Sequence, residues 1–190
     1  MAQAGQRVLL MDCDMRRPRL HKVFSKPNHS GVTSALLDLA GLEDLAGLKV
    51  HALPTEIENL SLLPMGPHAP NPAELLHSES FARLLQELRR RYDRVILDSP
   101  PVVPVTDATI LSKKVDGTVV VVRAFKTSKE LARQAVRAIR DVGGRIVGTV
   151  LNAVDLGRQE YGYYHYYYYK RDGYASDAPA STEQPAPPLS

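Results

Sequence analysis

The sequence predicts an α/β domain, a three-layer sandwich around a mostly parallel sheet. Short apolar runs alternate with longer amphipathic stretches at helical spacing, which is the pattern of repeated βα units. Two of those runs, Val8-Leu9-Leu10-Met11 and Val95-Ile96-Leu97, contain no polar residue, and the first is a continuous run of the kind buried on both faces of a parallel sheet. Each run ends in an aspartate, Asp12 and Asp98, and open sheets of this class bind ligands at the carboxyl ends of their strands.

Taken in order, residues 1–5 read as the last turn of a helix closed by Gly5. A chain that opens on a helix end carries the expectation that the natural beginning of the domain lies upstream of Met1. Residues 7–12 form the first buried strand and residues 18–24 a short turn or helix. Residues 31–39 carry Val32, Ala35, Leu36 and Leu39 on one helical stripe. Residues 49–53 and 60–64 are short strand candidates, and the proline-stiffened segment 66–72 is a loop. Pro72 suits the first position of a new helix. Ser78 or Ser80 caps the next, with Phe81, Leu84, Leu85 and Leu88 facing inward. The strand 94–98 leads into a proline-rich loop, a short helix over 107–112 and a valine strand over 117–123. Ser128 caps a helix running to Val142, with Leu131, Ala135, Ala138 and Ile139 inward; Gly143-Gly144 ends it, and 145–153 is the last strand. The domain therefore spans 1–157, followed by a tyrosine-rich tail over 158–174. Residues 175–190, rich in Ala, Pro and Ser, have the composition of disorder.

A chain of 190 residues with 44% hydrophobic and 24% charged residues suits one soluble domain with a real core. A net charge of +3 is too small to argue for a nucleic-acid partner. The lone cysteine, Cys13, excludes an internal disulfide and fits a reducing compartment. Flanked by Asp12 and Asp14, it reads as a small buried filler rather than a nucleophile. No apolar run approaches the length of about 18 residues of a membrane span, and there is no signal peptide, so the expected location is the cytoplasm.

Two features carry chemistry. The first is the set of carboxylates Asp12, Asp14 and Asp98. Magnesium in a phosphoryl-transfer site takes one or two carboxylates and keeps several waters, and an apolar strand ending in Asp offers one on a rigid stem. A single such aspartate is more often a turn former; two, with Asp14 one alternation beyond Asp12, favour a magnesium–nucleotide site. Arg123 and Asn152 fall at the ends of other strands. Asn152 could read an adenine edge, although a lone Asn there is commonly a turn residue. Arg16 and Arg17 suit pairing with phosphate or an acidic tail, or simple solvation. The second feature is the tail: eight of the nine tyrosines, Tyr161, Tyr163, Tyr164, Tyr166, Tyr167, Tyr168, Tyr169 and Tyr174, lie within it. Such a tract is no core element, and it suits a set of phosphate acceptors or an adhesive stacking segment. Phosphorylation would add about −1.5 to −2 charges per tyrosine and turn the tail strongly acidic.

These segments resemble the catalytic domain of bacterial tyrosine kinases of the capsule and exopolysaccharide type, within the deviant-Walker P-loop group. Val8-Leu-Leu-Met-Asp-Cys-Asp-Met-Arg-Arg-Pro18 resembles the second Walker motif of that family. Tyr92-Asp-Arg-Val-Ile-Leu-Asp-Ser-Pro-Pro101 resembles its Walker B strand, and Val105-Thr-Asp-Ala108 the continuation. Asn71-Pro-Ala-Glu-Leu-Leu76 resembles an intervening segment, and the tyrosine cluster separates these kinases from partition-type ATPases. The resemblance implies ATP as donor and Mg2+ held by Asp12 directly and by Asp98 through water, with Asp12, supported by Asp14, accepting the tyrosine proton. It implies ring-like homo-oligomers that phosphorylate one another's tails. It also implies a membrane adaptor or polysaccharide co-polymerase as partner, which would place the chain at the inner membrane. The family's phosphate-binding motif, Gly-x-x-x-x-Gly-Lys-Ser/Thr, occurs nowhere in the 190 residues. Its strand belongs in mid-sheet beside the Asp98 strand, and without it two buried strand edges would be bare. The expectations are therefore a fragment, a mis-started gene product, or half of a split kinase completed by a P-loop-bearing partner, with little ATP turnover by the chain alone. The alternatives are a non-catalytic phosphoacceptor or regulatory subunit, or a partition-type ATPase, against which the tyrosine tract argues.

Overall fold

The computed structural model describes residues 1–40 and 50–155. A 3-10 turn over Ala2–Ala4 is closed by Gly5 at φ 82°, in the left-handed region that glycine enters without penalty. Strand β1, Val8–Asp12, follows. Helix α1 spans Leu20–Val23 and α2 spans Val32–Ala40. Two short strands, β2 (Leu53–Pro54) and β3 (Leu60–Leu63), precede α3 (Pro72–His77) and α4 (Glu79–Arg91). Then come β4 (Arg94–Asp98), α5 (Asp107–Lys114), β5 (Thr118–Arg123), α6 (Lys129–Asp141) and β6 (Ile146–Asn152).

The strands form two sheets. The larger has the order β2-β3-β1-β4, parallel apart from the antiparallel β2–β3 pair; the smaller is the parallel pair β5-β6. β1 lies between two neighbours, and its Val8, Leu9 and Met11 are no more than 2% exposed. This matches its unbroken apolar run. Against that sheet pack Val32, Ala35, Leu36 and Leu39 of α2, and Phe81, Leu84 and Leu88 of α4, in one core. Burying each of these large side chains contributes roughly 1.5–3 kcal/mol. Gly31 opens α2 hard against the end of β3, where a Cβ would collide with the Pro64 carbonyl oxygen.

Local signals worked as expected at the helix starts. Pro72 occupies the first turn of α3. The hydroxyl oxygens of Ser78 and Ser128 accept from Phe81 N and Leu131 N at 3.2 and 3.1 Å, capping α4 and α6. Two expectations need correction. The strand expected over 49–53 is reduced to the two residues of β2. Leu131, expected inward, is 41% exposed, whereas Ile139 of the same helix is buried. The reason is that α6 rests on a sheet of two strands, too narrow to cover its whole apolar stripe.

Candidate active site

β1 and β4 run parallel with Asp12 opposite Asp98 in register. Side chains at one level of neighbouring strands share a face, so the two carboxylates lie side by side. The strands are also tied just beyond that level, where Cys13 N donates to Asp98 O at 2.8 Å. The sequence paired these residues only by analogy of position; the register makes them neighbours.

Their surroundings differ. Asp12 is fully buried, and both of its oxygens are engaged. Its Oδ1 accepts from Asp14 N at 3.2 Å, and its Oδ2 from Arg19 N and Leu20 N at 3.1 and 3.0 Å. Asp12 thereby folds the following loop back over the strand end and ties down the start of α1. Asp14 is half-buried, and its Oδ1 accepts from Arg16 N and Arg17 N at 3.1 and 2.9 Å. Among the described residues its Oδ2 takes no hydrogen bond. Asp98 is exposed.

The electrostatics follow from this crowding. Although Asp98 as a residue is exposed, partial burial of its carboxyl pushes it above its ordinary value, and the charges of Asp12 and then Asp14 push it further, against the Ser99 N–H. Asp12 is also raised, chiefly by burial, with Asp14 adding to it and its three N–H donors opposing. Cys13 between them is fully buried, and its thiol is driven well up by burial and by the Asp12 and Asp98 charges. That agrees with a packing role.

Arg16 does not face the three carboxylates alone. Its guanidinium makes a two-point pair with Asp107, Nε to Oδ2 at 2.8 Å and Nη2 to Oδ1 at 3.1 Å. The Asp107 side chain is wholly buried at the start of α5. This pair pins the loop after β1 to a helix 91 residues away, whereas sequence reasoning had placed Asp107 at a helix start and in the segment resembling the continuation of the Walker B strand, with no partner named. An Asp heading the mostly apolar segment Ala-Thr-Ile-Leu was the available signal.

A hard divalent cation fits this donor set. One exposed carboxylate, Asp98, with the buried Asp12 charge beside it, meets what Mg2+ asks of a protein, and crowded carboxylates gain from a cation near them. Among the described residues no group of three or more His, Cys, Asp or Glu is arranged to enclose a metal by itself, so any ion here keeps much of its water. Arg123 and Asn152 are register partners at the end of the smaller sheet. No strand hydrogen bond joins them to the Asp12–Asp98 pair among the described residues. The Asn152 side-chain oxygen accepts from Ala153 N at 2.8 Å, a turn contact. The tail tyrosines, Tyr161 to Tyr174, lie outside the described residues.

Known proteins resemble this chain in sequence and in fold. The chain is 37% identical over 164 residues to the putative tyrosine-protein kinase CapB of Staphylococcus aureus, covering 86% of this chain and 69% of CapB. The chain belongs to the bacterial tyrosine-protein kinase family. It is 40% identical to the tyrosine-protein kinase YwqD of Bacillus subtilis, of which it covers 67%, and 40% identical to wzc of Salmonella typhi, of which it covers 22%. In three dimensions it matches the chimerical protein CapA2B2 with a TM-score of 0.72 at 39% identity, covering 80% of this chain and 65% of that one. The cell-division ATPase MinD of Pyrococcus furiosus matches with a TM-score of 0.60 at 18% identity, over 79% of this chain and 60% of MinD, which shows a shared P-loop NTPase-like fold alone. No family model matches the chain.

Proposed function

We propose that this chain carries the magnesium-binding half of a protein-tyrosine kinase that phosphorylates the tyrosine cluster at 161–174 and thereby regulates capsule or exopolysaccharide synthesis and export. The observation that carries this reading is the register pairing of Asp12 with Asp98, in a chain whose relatives are named tyrosine-protein kinases. Asp98 is the accessible carboxylate and holds Mg2+ directly or through water. Asp12 stands behind it, adding charge while its three N–H contacts keep the loop in place. Bound magnesium supplies charge neutralisation for the phosphates of ATP. In the transfer the bond from the γ-phosphorus to the ADP oxygen breaks, a bond to the tyrosine oxygen forms, and the phenolic proton passes to a carboxylate. Asp14, through its uncommitted Oδ2, is the group placed for that proton. Arg123 and Asn152 are assigned to the nucleotide, and neighbouring copies in a ring present their tails to one another. A membrane adaptor would hold the assembly at the inner membrane; among the described residues no helix is long and apolar enough to cross a membrane.

One observation favours a second reading. The 190 residues contain no Gly-x-x-x-x-Gly-Lys-Ser/Thr, so phosphates would lack their usual cradle of backbone N–H groups and a lysine. The chain would then be a phosphoacceptor served by an intact kinase. Both readings are tested by incubating the purified chain with magnesium–ATP, alone and with intact YwqD of Bacillus subtilis, and mapping phosphotyrosine by mass spectrometry. We expect little or no transfer by the chain alone and tail phosphorylation in the mixture. If Asp98→Asn leaves that phosphorylation unchanged while a YwqD inactivated at its own phosphate-binding lysine abolishes it, the chain is an acceptor only. Robust transfer by the chain alone would refute the need for a partner.

A further inference from the structure

A second concentration of charge lies at the other end of the strands from Asp12 and Asp98. α4 ends at Arg91 and β4 begins at Arg94, while α5 ends at Lys114 and β5 begins at Thr118. The closing turns of both helices therefore stand at the amino ends of strands, and both are basic: Arg89, Arg90 and Arg91 in α4, Lys113 and Lys114 in α5. Cations in a last turn suit the helix dipole, and one such turn needs no further account. Here two of them meet. Arg89 Nη2 pairs with Asp116 Oδ1 at 3.0 Å, which ties α4 to the turn after α5. Between the helices lies a groove of about 430 Å3, lined by Ala82, Leu85, Gln86, Arg89 and Arg90 of α4 and by Lys114. The carboxylates among these cations are Asp116 and Glu87, and Glu87 holds Arg91 at 2.8 Å and Arg90 only at 3.6 Å. Neither Lys113 nor Lys114 is in an ion pair among the described residues.

We infer that this groove binds phosphotyrosine, and that its occupant is the segment 161–174 of a second copy of this chain once that segment is phosphorylated. A phosphate takes charge-assisted hydrogen bonds from guanidinium and ammonium groups. Arg90 and Lys114 supply them with little competition, since the carboxylate nearest Arg90 is already engaged by Arg91. Ala82 and Leu85 give the phenyl ring an apolar seat, and a guanidinium plane stacks on an aromatic face. Charge supplies the switch. Residues 158–174 hold Arg158, Lys170 and Arg171 against Glu160 and Asp172, so the bare segment is weakly positive and the basic groove repels it. Each phosphate adds about −1.5 to −2 charges and reverses that sign. The segment follows β6, which ends at Asn152 at the carboxyl end of its sheet. Residues 156–161 span at most about 20 Å, no more than the six residues of β5 cover from end to end. The first tyrosines of the segment therefore fall short of their own groove, and a neighbour's groove receives them. That the segment is phosphorylated in the cell rests on the reading above; the binding of a phosphorylated segment does not.

The test uses the full 190-residue chain and synthetic peptides of residues 158–176. One peptide carries phosphate on Tyr166, Tyr167, Tyr168 and Tyr169, one carries none, and one carries phosphoserine at those four positions. Titration calorimetry should show binding of the phosphotyrosine peptide and affinities at least about tenfold lower for the other two. Arg90→Gln and Lys114→Gln, which leave the carboxylate end of the strands untouched, should keep the wild-type Tm and each weaken binding by about tenfold. Arg17→Gln and Lys22→Gln, basic residues elsewhere on the chain, should not weaken it. No binding, equal affinity for the phosphoserine peptide, or losses at Arg17 and Lys22 in place of Arg90 and Lys114 overturns the proposal. Vesicles of phosphatidylcholine with about 30% phosphatidylserine are the other anionic probe. If they bind through Arg90 and Lys114 while the phosphotyrosine peptide does not, the groove belongs to a membrane-facing surface and the proposal falls. The full chain with phosphotyrosine installed at positions 167 and 168 by codon reassignment should self-associate in sedimentation, and Lys114→Gln should reverse this; a monomer overturns the second copy as occupant. If the peptide binds but the mixture with intact YwqD leaves the tail unphosphorylated, the groove stands and the kinase reading falls.

Discussion

Replacing Asp98 by Asn should make the metal-free protein more stable and its magnesium response weaker. Strands lie about 4.8 Å apart, so two carboxylates at one register level are separated by about 5 Å. Two unit charges at that distance repel by about 3 kcal/mol at an effective dielectric of about 20, and by about 0.8 kcal/mol at the value of bulk water. Asp98 is exposed and Asp12 is buried, so the lower end applies, and removing the Asp98 charge relieves about 1 kcal/mol. For a chain of this size that is a rise of about 2–4 °C in Tm. The assay is differential scanning calorimetry at neutral pH and low salt, with and without millimolar magnesium. Magnesium bound at about 100 times its Kd would stabilise the wild type by about 2.7 kcal/mol, enough to reverse the order of the two proteins. If the Asp98→Asn substitution lowers the metal-free Tm, or if magnesium raises both proteins equally, the carboxylates do not share an ion and the site reading fails.

Three other outcomes follow from the same geometry. Asp12 and Asp98 have raised carboxyls, so without metal their ionised forms oppose folding. That penalty is absent below the ordinary carboxylate range and grows as pH rises through the raised values. Magnesium affinity should run the opposite way, falling as pH drops through the same window, with proton uptake on metal removal measured by calorimetry in two buffers. Asp12→Ala strips three backbone N–H groups of their acceptor at a buried site; at about 1 kcal/mol each, the loss should be about 3 kcal/mol in urea unfolding, whatever its effect on metal. Cys13 is buried with a raised thiol, so a thiol reagent should label it at the unfolding rate rather than at the rate of a free cysteine.

Much of this protein was legible residue by residue. The apolar runs of β1 and β4, the serine caps of α4 and α6, Gly5 in the left-handed region and Pro72 at the start of α3 depend on interactions within a few residues, and those are written locally. The α/β class followed from their alternation, and the candidate carboxylates from their place at strand ends. Local patterns could not supply the pairings between distant segments. They could not show that Asp107 is the partner of Arg16, or that Leu131 stays at the surface, because both depend on which helix meets which sheet. The burial of Asp12 beneath three N–H donors, against the openness of Asp98, is likewise a property of packing.

By itself the sequence determined the order and kind of the elements, the acidic strand ends and the concentration of tyrosine in the segment 161–174, since each is set by side chains close together along the chain. Tertiary structure alone decided that Asp12 and Asp98 stand level on neighbouring strands and that the described strands form two sheets, β2-β3-β1-β4 and β5-β6. Strand register and strand order arise from backbone hydrogen bonds between segments far apart in the chain, and no short-range pattern encodes them.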